Sequence, residues 1–106
     1  MRHDLITLEL LLAVAQERSV TRGAEAVHLA VAAASRRITD MEARLRVNLF
    51  IRKARGVEPT EACRSLLGHI QTIRSGLDAF NREAAQHSSV RYGTARAHAE
   101  GGRPEG

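Results

Sequence analysis

Seven basic side chains lie within the twenty residues from Arg36 to Arg55, where only Asp40 and Glu42 oppose them. This stretch therefore carries a net charge of +5 (seven minus two), and the only lysine of the chain, Lys53, lies in it. A guanidinium group donates paired hydrogen bonds to phosphate oxygens or to the edge of guanine. Such a concentration of charge is rarely a plain solvated surface, and it indicates contact with duplex nucleic acid.

Other chemistry is poorly supported by the residue types. Cys63 is the only cysteine, and the five histidines lack metal-ligand spacing, so we expect no metal site. The chain has no glycine-rich phosphate loop, paired catalytic carboxylates or Ser/His/Asp constellation, so we expect neither an enzyme nor a cofactor. Aromatic residues make up 3%, which leaves few stacking platforms for single strands. Without a signal peptide or an apolar run of about 20 residues, the chain is expected to be cytoplasmic and away from membranes.

The elements that would position the basic residues can be read from apolar spacing. The 106 residues, with 43% apolar content, suit one small domain with an extension. A first helix is predicted from apolar positions at helical spacing, with Thr7 as its cap: Leu5, Leu8, Leu11, Leu12 and Ala15. A short second helix follows, capped by Ser19 or Thr21.

The third predicted helix, residues 31–45, has one apolar and one basic face. Its apolar positions advance by four, three and four residues: Ala34, Ile38, Met41 and Leu45. Two helices joined by a tight turn, the second with a basic face, are typical of a helix-turn-helix, here about residues 19–38. The β-prone residues on either side of Gly56 then predict a hairpin with a basic turn, which Pro59 ends.

A heptad pattern dominates the last predicted helix. Its apolar positions advance by alternating steps of three and four residues: Cys63, Leu66, Ile70, Ile73, Leu77, Phe80 and Ala84. We favour a partner helix for this seam, although Leu67 beside it would suit packing back onto the same chain. The predicted organisation is a DNA-binding domain over 1–59, a linker and dimerisation helix over 60–85, and a disordered tail over 86–106.

Six segments of the chain carry a family resemblance. They are Leu12 to Ala15, Ser19 to Glu25, Ala34 to Ile38, Met41 to Leu45, Leu49 to Arg52, and Gly56 to Ala62. In their order and spacing they resemble the N-terminal winged helix-turn-helix domain and linker helix of the LysR-type transcriptional regulators, over roughly residues 4–82. The resemblance implies a mainly α fold with three core helices, a hairpin wing and a long dimerisation helix.

The resemblance also implies roles for individual residues. The second helix of the motif would enter the major groove of duplex DNA, the wing would contact the backbone or minor groove, and the linker helix would pair with its twin. The DNA-binding residues would be Thr21, Arg22, Val31, Ala32, Ala33, Ser35, Arg36, Arg37, Arg52, Lys53 and Arg55. The dimer interface would comprise Leu66, Ile70, Ile73, Leu77 and Phe80.

The chain departs from the family pattern at several places. Val31 stands where many members have a glutamine, so contacts to thymine methyls are favoured. Arg46 and Cys63 each replace a usual glycine. The chain stops where the effector domain would begin, as in a truncated or frameshifted product or a fragment, so no small-molecule effector is expected. The partner would be an identical chain or a full-length relative. The alternative function is a protein-interaction module, or a dominant-negative fragment, that does not bind DNA productively.

Overall fold

The computed structural model describes the backbone of residues 4–99 and the side chains of residues 4–88. Over those residues the elements run in the order α1 (Leu5–Glu17), α2 (Val20–Ala26), α3 (Val31–Leu45), β1 (Phe50–Lys53), β2 (Gly56–Pro59) and α4 (Glu61–Ala99). The predicted mainly α fold, with a helix-turn-helix, a hairpin wing and a long last helix, is confirmed. Two compact units meet between Gln71 and Thr72, inside α4.

Helix α1 begins one turn earlier than its predicted cap implied. The carboxylate of Asp4 accepts the backbone N–H of Thr7 at 2.8 Å and is the N-cap, so the prediction of Thr7 in that role is wrong. Thr7 is instead buried in the first turn. The helix ends at Arg18, a left-handed residue (φ 55°) whose N–H bonds the carbonyl of Val14 at 2.8 Å. This tight ending turns the chain directly into α2.

Helix α2 is capped by Ser19, whose Oγ accepts the N–H of Arg22 at 3.0 Å. It lies so close to α1 that a Cβ on Gly23 would be 2.8 Å from the Cα of Val14, so only glycine fits there. His28 takes a left-handed conformation (φ 60°) in the turn before α3. The short second helix thus fixes where α3 begins.

The core of the first unit is built from the apolar faces of all these elements. Helix α3 contributes residues at the predicted spacing, and its Leu45 is half-buried. The buried apolar residues are Leu10, Leu11, Leu12, Val14, Ala24, Ala34, Ile38, Met41, Leu49, Val57, Cys63 and Ile70. Because α3 buries only one face here, its opposite face remains available to solvent.

The hairpin pairs Phe50 with Pro59 and Lys53 with Gly56 around a two-residue turn. Gly56 has φ +102°, a conformation that disfavours any side chain. The N–H of Val57 bonds the carbonyl of Arg18 at 3.1 Å, which ties the second strand to the end of α1. The wing is therefore anchored to the helical body at its base.

Two side chains join the hairpin to the helices that flank it. The Glu42 carboxylate accepts the backbone N–H groups of Leu49 and Phe50, at 2.7 and 3.3 Å. The Thr60 hydroxyl donates to the carbonyl of Asn48 at 2.7 Å and accepts the N–H of Cys63 at 3.1 Å, which caps α4. The hairpin thus follows α3 and precedes α4 with little freedom at either end.

Helix α4 is longer than the sequence pattern indicated. It continues past residue 85 to Ala99, whereas the sequence pattern predicts a disordered tail from residue 86. Helix-favouring alanines occur along this stretch, and the first proline beyond it is Pro104. A pair at i,i+4 spacing, His87 and Glu83, lies 3.4 Å apart. The predicted tail residues 100–106 lie outside the described residues.

Candidate nucleic-acid interface

The first two turns of α3 carry small and basic side chains on their solvent-exposed face. Six residues there are predicted to contact DNA, and all of them except Arg37 are exposed: Val31, Ala32, Ala33, Ser35 and Arg36. Ala34, between them, is fully buried. Small side chains let a helix backbone approach the floor of a groove, and the single long cation among them is Arg36.

Arg36 and Arg37 are adjacent in sequence but differ in their contacts. Arg36 is exposed, and no carboxylate within residues 4–88 forms an ion pair with it. The Arg37 guanidinium instead bonds Asp4, at 3.0 Å to Oδ2, and the Thr7 hydroxyl, at 2.9 Å. One third of the Arg37 side chain remains exposed. The structure thus gives Arg37 an intramolecular role that the sequence analysis did not anticipate.

The electrostatics of Asp4 follow from the same contacts. Hydrogen bonding by the Thr7 side chain and backbone N–H, together with the Arg37 guanidinium, holds the pKa of the Asp4 carboxyl below its usual value. The carboxylate is therefore charged throughout the physiological range. It lines a concavity of about 570 Å³ with residues from α1 and α3: Thr7, Ala33, Arg36, Arg37, Asp40, Met41 and Arg44.

The start of α2 adds two more of the predicted residues. Thr21 and Arg22 lie in its first turn, and both are exposed. Because Ser19 supplies the cap, the hydroxyl of Thr21 is not needed for capping. Of the two alternatives considered for Thr21, the cap is therefore wrong, and phosphate contact stays a prediction.

The hairpin tip carries the remaining predicted DNA contacts. Arg52, Lys53 and Arg55 are all exposed, and Arg55 occupies the two-residue turn itself. Lys53 lies 3.3 Å from the Glu58 carboxylate, which Arg18 also approaches at 3.4 Å. These contacts, with Lys53 the stronger, hold the pKa of Glu58 below its usual value. Across residues 4–88, Arg52 and Arg55 form no ion pair.

The predicted dimer seam divides between two environments. Leu66, Ile73 and Phe80 are 37%, 47% and 66% exposed, and Leu77 is half-buried. Ile70 is only 6% exposed and belongs to the core of the first unit, while its predicted place in the dimer interface stays a prediction. The packing of α4 back onto its own chain, including half-buried Leu67, accounts for this part of the seam.

Sequence reasoning missed Asp4, Glu42 and Arg18, which connect elements far apart in the chain. A signal for Asp4 was present, because aspartate is a preferred cap and stands immediately before the first apolar residue. No local signal marks Glu42 or Arg18, because their partners are hydrogen-bonding groups in other elements. Cys63 lies in the core of the first unit, and burial raises the pKa of its thiol to about 11.

Two negative findings apply to the part of the chain that the structure describes. No three histidine, cysteine, aspartate or glutamate side chains come together there to hold a metal ion. None of the helices there combines the length and the apolar character needed to cross a bilayer.

The chain is similar in sequence to known bacterial helix-turn-helix regulators. The family model for bacterial regulatory helix-turn-helix proteins of the lysR family matches residues 5–64. An uncharacterized HTH-type transcriptional regulator in the ibpB-leuC intergenic region of Azotobacter vinelandii is 40% identical over 79 residues, 74% of this chain and 55% of the relative. The HTH-type transcriptional regulator GbpR of Azospirillum brasilense is 36% identical over 98 residues, 88% of this chain and 29% of the relative. The chain therefore spans between about a third and about half of these relatives.

A solved structure adds the fold. The BenM DNA-binding domain, crystallised with its benA site 1 DNA, superposes with a TM-score of 0.75 at 25% identity. The match covers 82% of this chain and 98% of that domain.

Proposed function

The chain belongs to the LysR family of bacterial helix-turn-helix regulators, and we propose that it regulates transcription by binding duplex DNA through the outer face of α3 and the hairpin tip. The observation that carries this proposal is the exposed face of α3, where Arg36 lies among small side chains and has no ion partner within residues 4–88. A cation already paired with a carboxylate would have to give up that partner before binding phosphate or guanine. Among the described residues, Arg36 has no such partner to give up.

In the proposed complex, the first two turns of α3 enter the major groove. Arg36 donates paired hydrogen bonds to guanine or to a phosphate, and Ser35 bonds the backbone. Ala32 and Ala33 contact thymine methyl groups. Thr21 and Arg22 bind phosphate beside the groove, since both are exposed in the first turn of α2. No bond is made or broken, so no enzymatic step is proposed.

The hairpin is proposed to contribute affinity rather than sequence preference. Arg52 and Arg55 lie at its exposed tip without ion partners in the described residues, and Lys53 exchanges Glu58 for phosphate. Contacts to phosphate release condensed counterions and weaken as salt rises. Neutralising Arg55 should therefore weaken binding to every duplex and reduce the salt slope by about one unit.

The apolar residues left exposed on α4 are proposed to pair with a second chain, identical or from a longer relative. Leu66, Ile73 and Phe80 recur every seven residues and stay exposed in the single chain. A two-fold dimer would bring two α3 helices to an interrupted inverted repeat. We place this dimer in the cytoplasm, together with the chromosome.

Selection of duplexes from a random library tests the proposal, followed by titration of the best sequence and of a mixed-sequence duplex. The parent chain should enrich a two-fold symmetric site. Arg36→Ala should lower affinity for that site by about 1–3 kcal/mol. Arg82→Ala, which removes the same charge from a later part of α4, is the matched control and should change little. If the selection enriches no sequence, and the amount of duplex bound does not depend on salt, the chain is better explained as a protein-interaction module.

A further inference from the structure

We propose that Asp4 holds Arg37 away from the DNA backbone, so that Arg37 positions α3 instead of binding phosphate. The inference deepens the proposed function and rests on α3 being the helix that enters the groove. It assigns a role in DNA selectivity to a residue at the start of α1. Asp4 would act as an internal substitute for a phosphate group.

The first argument is the set of atoms that Arg37 contacts. Its Nη1 atom lies 3.0 and 3.3 Å from the two oxygens of Asp4 and 2.9 Å from the hydroxyl of Thr7. A carboxylate presents two oxygens to a guanidinium much as a phosphate does. Two of the five N–H donors of Arg37, those on Nη1, are therefore directed at the chain itself.

The second argument is the position of these partners in the fold. Asp4 caps α1, and Thr7 is buried in the first turn of that helix. Arg37 lies one residue before Ile38, which is in the core. The contact thus connects the second turn of α3 to the first turn of α1 across more than thirty residues of sequence. Because both ends are anchored, the contact restrains the orientation at which α3 presents Arg36.

The third argument comes from the neighbouring charges. Arg36 and Arg44 border the same concavity, and no carboxylate in residues 4–88 forms an ion pair with either. Asp40, also on this concavity, likewise has no ion partner in that range. Of the three arginines on this side of α3, only Arg37 is neutralised. The selective pairing leaves the other two as the cations available to DNA.

Substitutions at Asp4 and Arg37 test the inference when binding is measured against salt concentration. The probes are the duplex selected by the parent chain and a mixed-sequence duplex of equal length. Arg37→Ala should leave the salt slope unchanged, whereas Arg36→Ala should lower it by about one unit. Arg37→Ala should also weaken binding to the selected duplex about 2- to 5-fold, because α3 is less restrained.

Asp4→Ser is the more discriminating variant, since serine keeps a capping oxygen but does not reach Arg37. Freed Arg37 should raise the salt slope by about 0.9 and tighten binding to the mixed-sequence duplex. The ratio of selected to mixed-sequence affinity should therefore fall. Asp40→Asn removes an equal charge from the same concavity and should leave the slope unchanged. The double variant Asp4→Ser with Arg37→Ala should lose the gain.

Two results would overturn the inference. One is a salt slope that falls for Arg37→Ala as much as for Arg36→Ala, which would make Arg37 a phosphate contact. The other is an Asp4→Ser variant whose salt slope and affinity for the mixed-sequence duplex rise no more than those of Asp40→Asn. Arg37→Gln, which retains a hydrogen-bond donor of similar length, replaces Arg37→Ala in the slope measurement if circular dichroism shows that the alanine variant is unfolded. Failure of the parent chain to bind either duplex would instead contradict the proposed function.

Discussion

The first turns of α4 and the part after Gln71 share one heptad pattern, but their apolar residues differ in burial. Cys63 and Ile70 are 1% and 6% exposed and lie in the core of the first unit. Ile73 and Phe80 occupy the other apolar position of the heptads, which Leu66 shares, and are 47% and 66% exposed. A heptad pattern thus indicates that a helix face is to be buried, but it does not identify the surface that buries it.

The physical reason lies in which residues of α4 belong to the core of the first unit. In the part of the chain that the structure describes, Cys63 and Ile70 are buried in that core and Leu67 packs against it. No residue of α4 beyond Ile70 is among the buried core residues described there. In the proposed dimer, the later apolar residues pack against a second chain.

The largest effect that would sharpen this comparison is expected from Ile70→Asp. It places a charge in the core without a partner, and it should lower the free energy of unfolding by more than about 3 kcal/mol. Ile73→Asp, one helical turn further on, should change it by less than about 1 kcal/mol. Urea unfolding followed by circular dichroism, at protein concentrations too low for dimers, measures both. Equal losses would mean that the two parts of α4 are buried alike.

The second effect is on association. The parent chain should dimerise with a dissociation constant in the micromolar range, about −8 kcal/mol. Ile73→Asp should give monomers by sedimentation, because the dimer would bury two carboxylates in its seam. Ser75→Asp is the control, since residues two apart on a helix do not share a face. A parent chain that stays monomeric at about 100 μM, yet binds a two-fold site cooperatively, would show that the seam is not the interface.

The third effect is on thiol reactivity in the buried part of α4. Burial raises the pKa of Cys63 from 9.0 to about 11, so alkylation of the folded chain at pH 8 should be about 100-fold slower than in urea. A cysteine introduced at exposed Ser65 should react at nearly the unfolded rate. The pKa of Cys63 is higher in the folded chain than in the unfolded chain. The neutral thiol therefore contributes its full share to the free energy of unfolding below pH 9, and that contribution is lost as the pH rises towards 11. Fast alkylation of folded Cys63 would place these turns of α4 in solvent.

The smallest effect concerns the end of α3. Arg46 has φ 59°, and glycine adopts that conformation without a side-chain penalty. Arg46→Gly should raise the free energy of unfolding by about 1 kcal/mol and leave dimer dissociation unchanged. Arg18→Gly relieves the same strain but also removes the pair with Glu58, so its gain should be smaller. Thermal unfolding ranks the two. A change in dimer dissociation would mean that the end of α3 is coupled to the apolar seam of α4.

Much of the fold was predictable because it depends on short-range patterns. The spacing of Ala34, Ile38 and Met41 identifies the buried face of α3, and Ser19, one of the two predicted caps of α2, is confirmed. The exposed side chains at the start of α3 lie where the pattern indicates. Apolar periodicity does not mark the end of α4, because the helix continues after the periodicity stops.

The sequence by itself determined the helices, the hairpin and the basic outer face, because each depends on residues within a few positions of one another. Tertiary structure alone decided that Asp4 neutralises Arg37 while Arg36 forms no ion pair within the described side chains, and that Ile70 packs inward while Ile73 does not. Both outcomes depend on elements distant in sequence. A side chain one residue or one turn away meets different neighbours, and a one-dimensional pattern assigns both positions the same role.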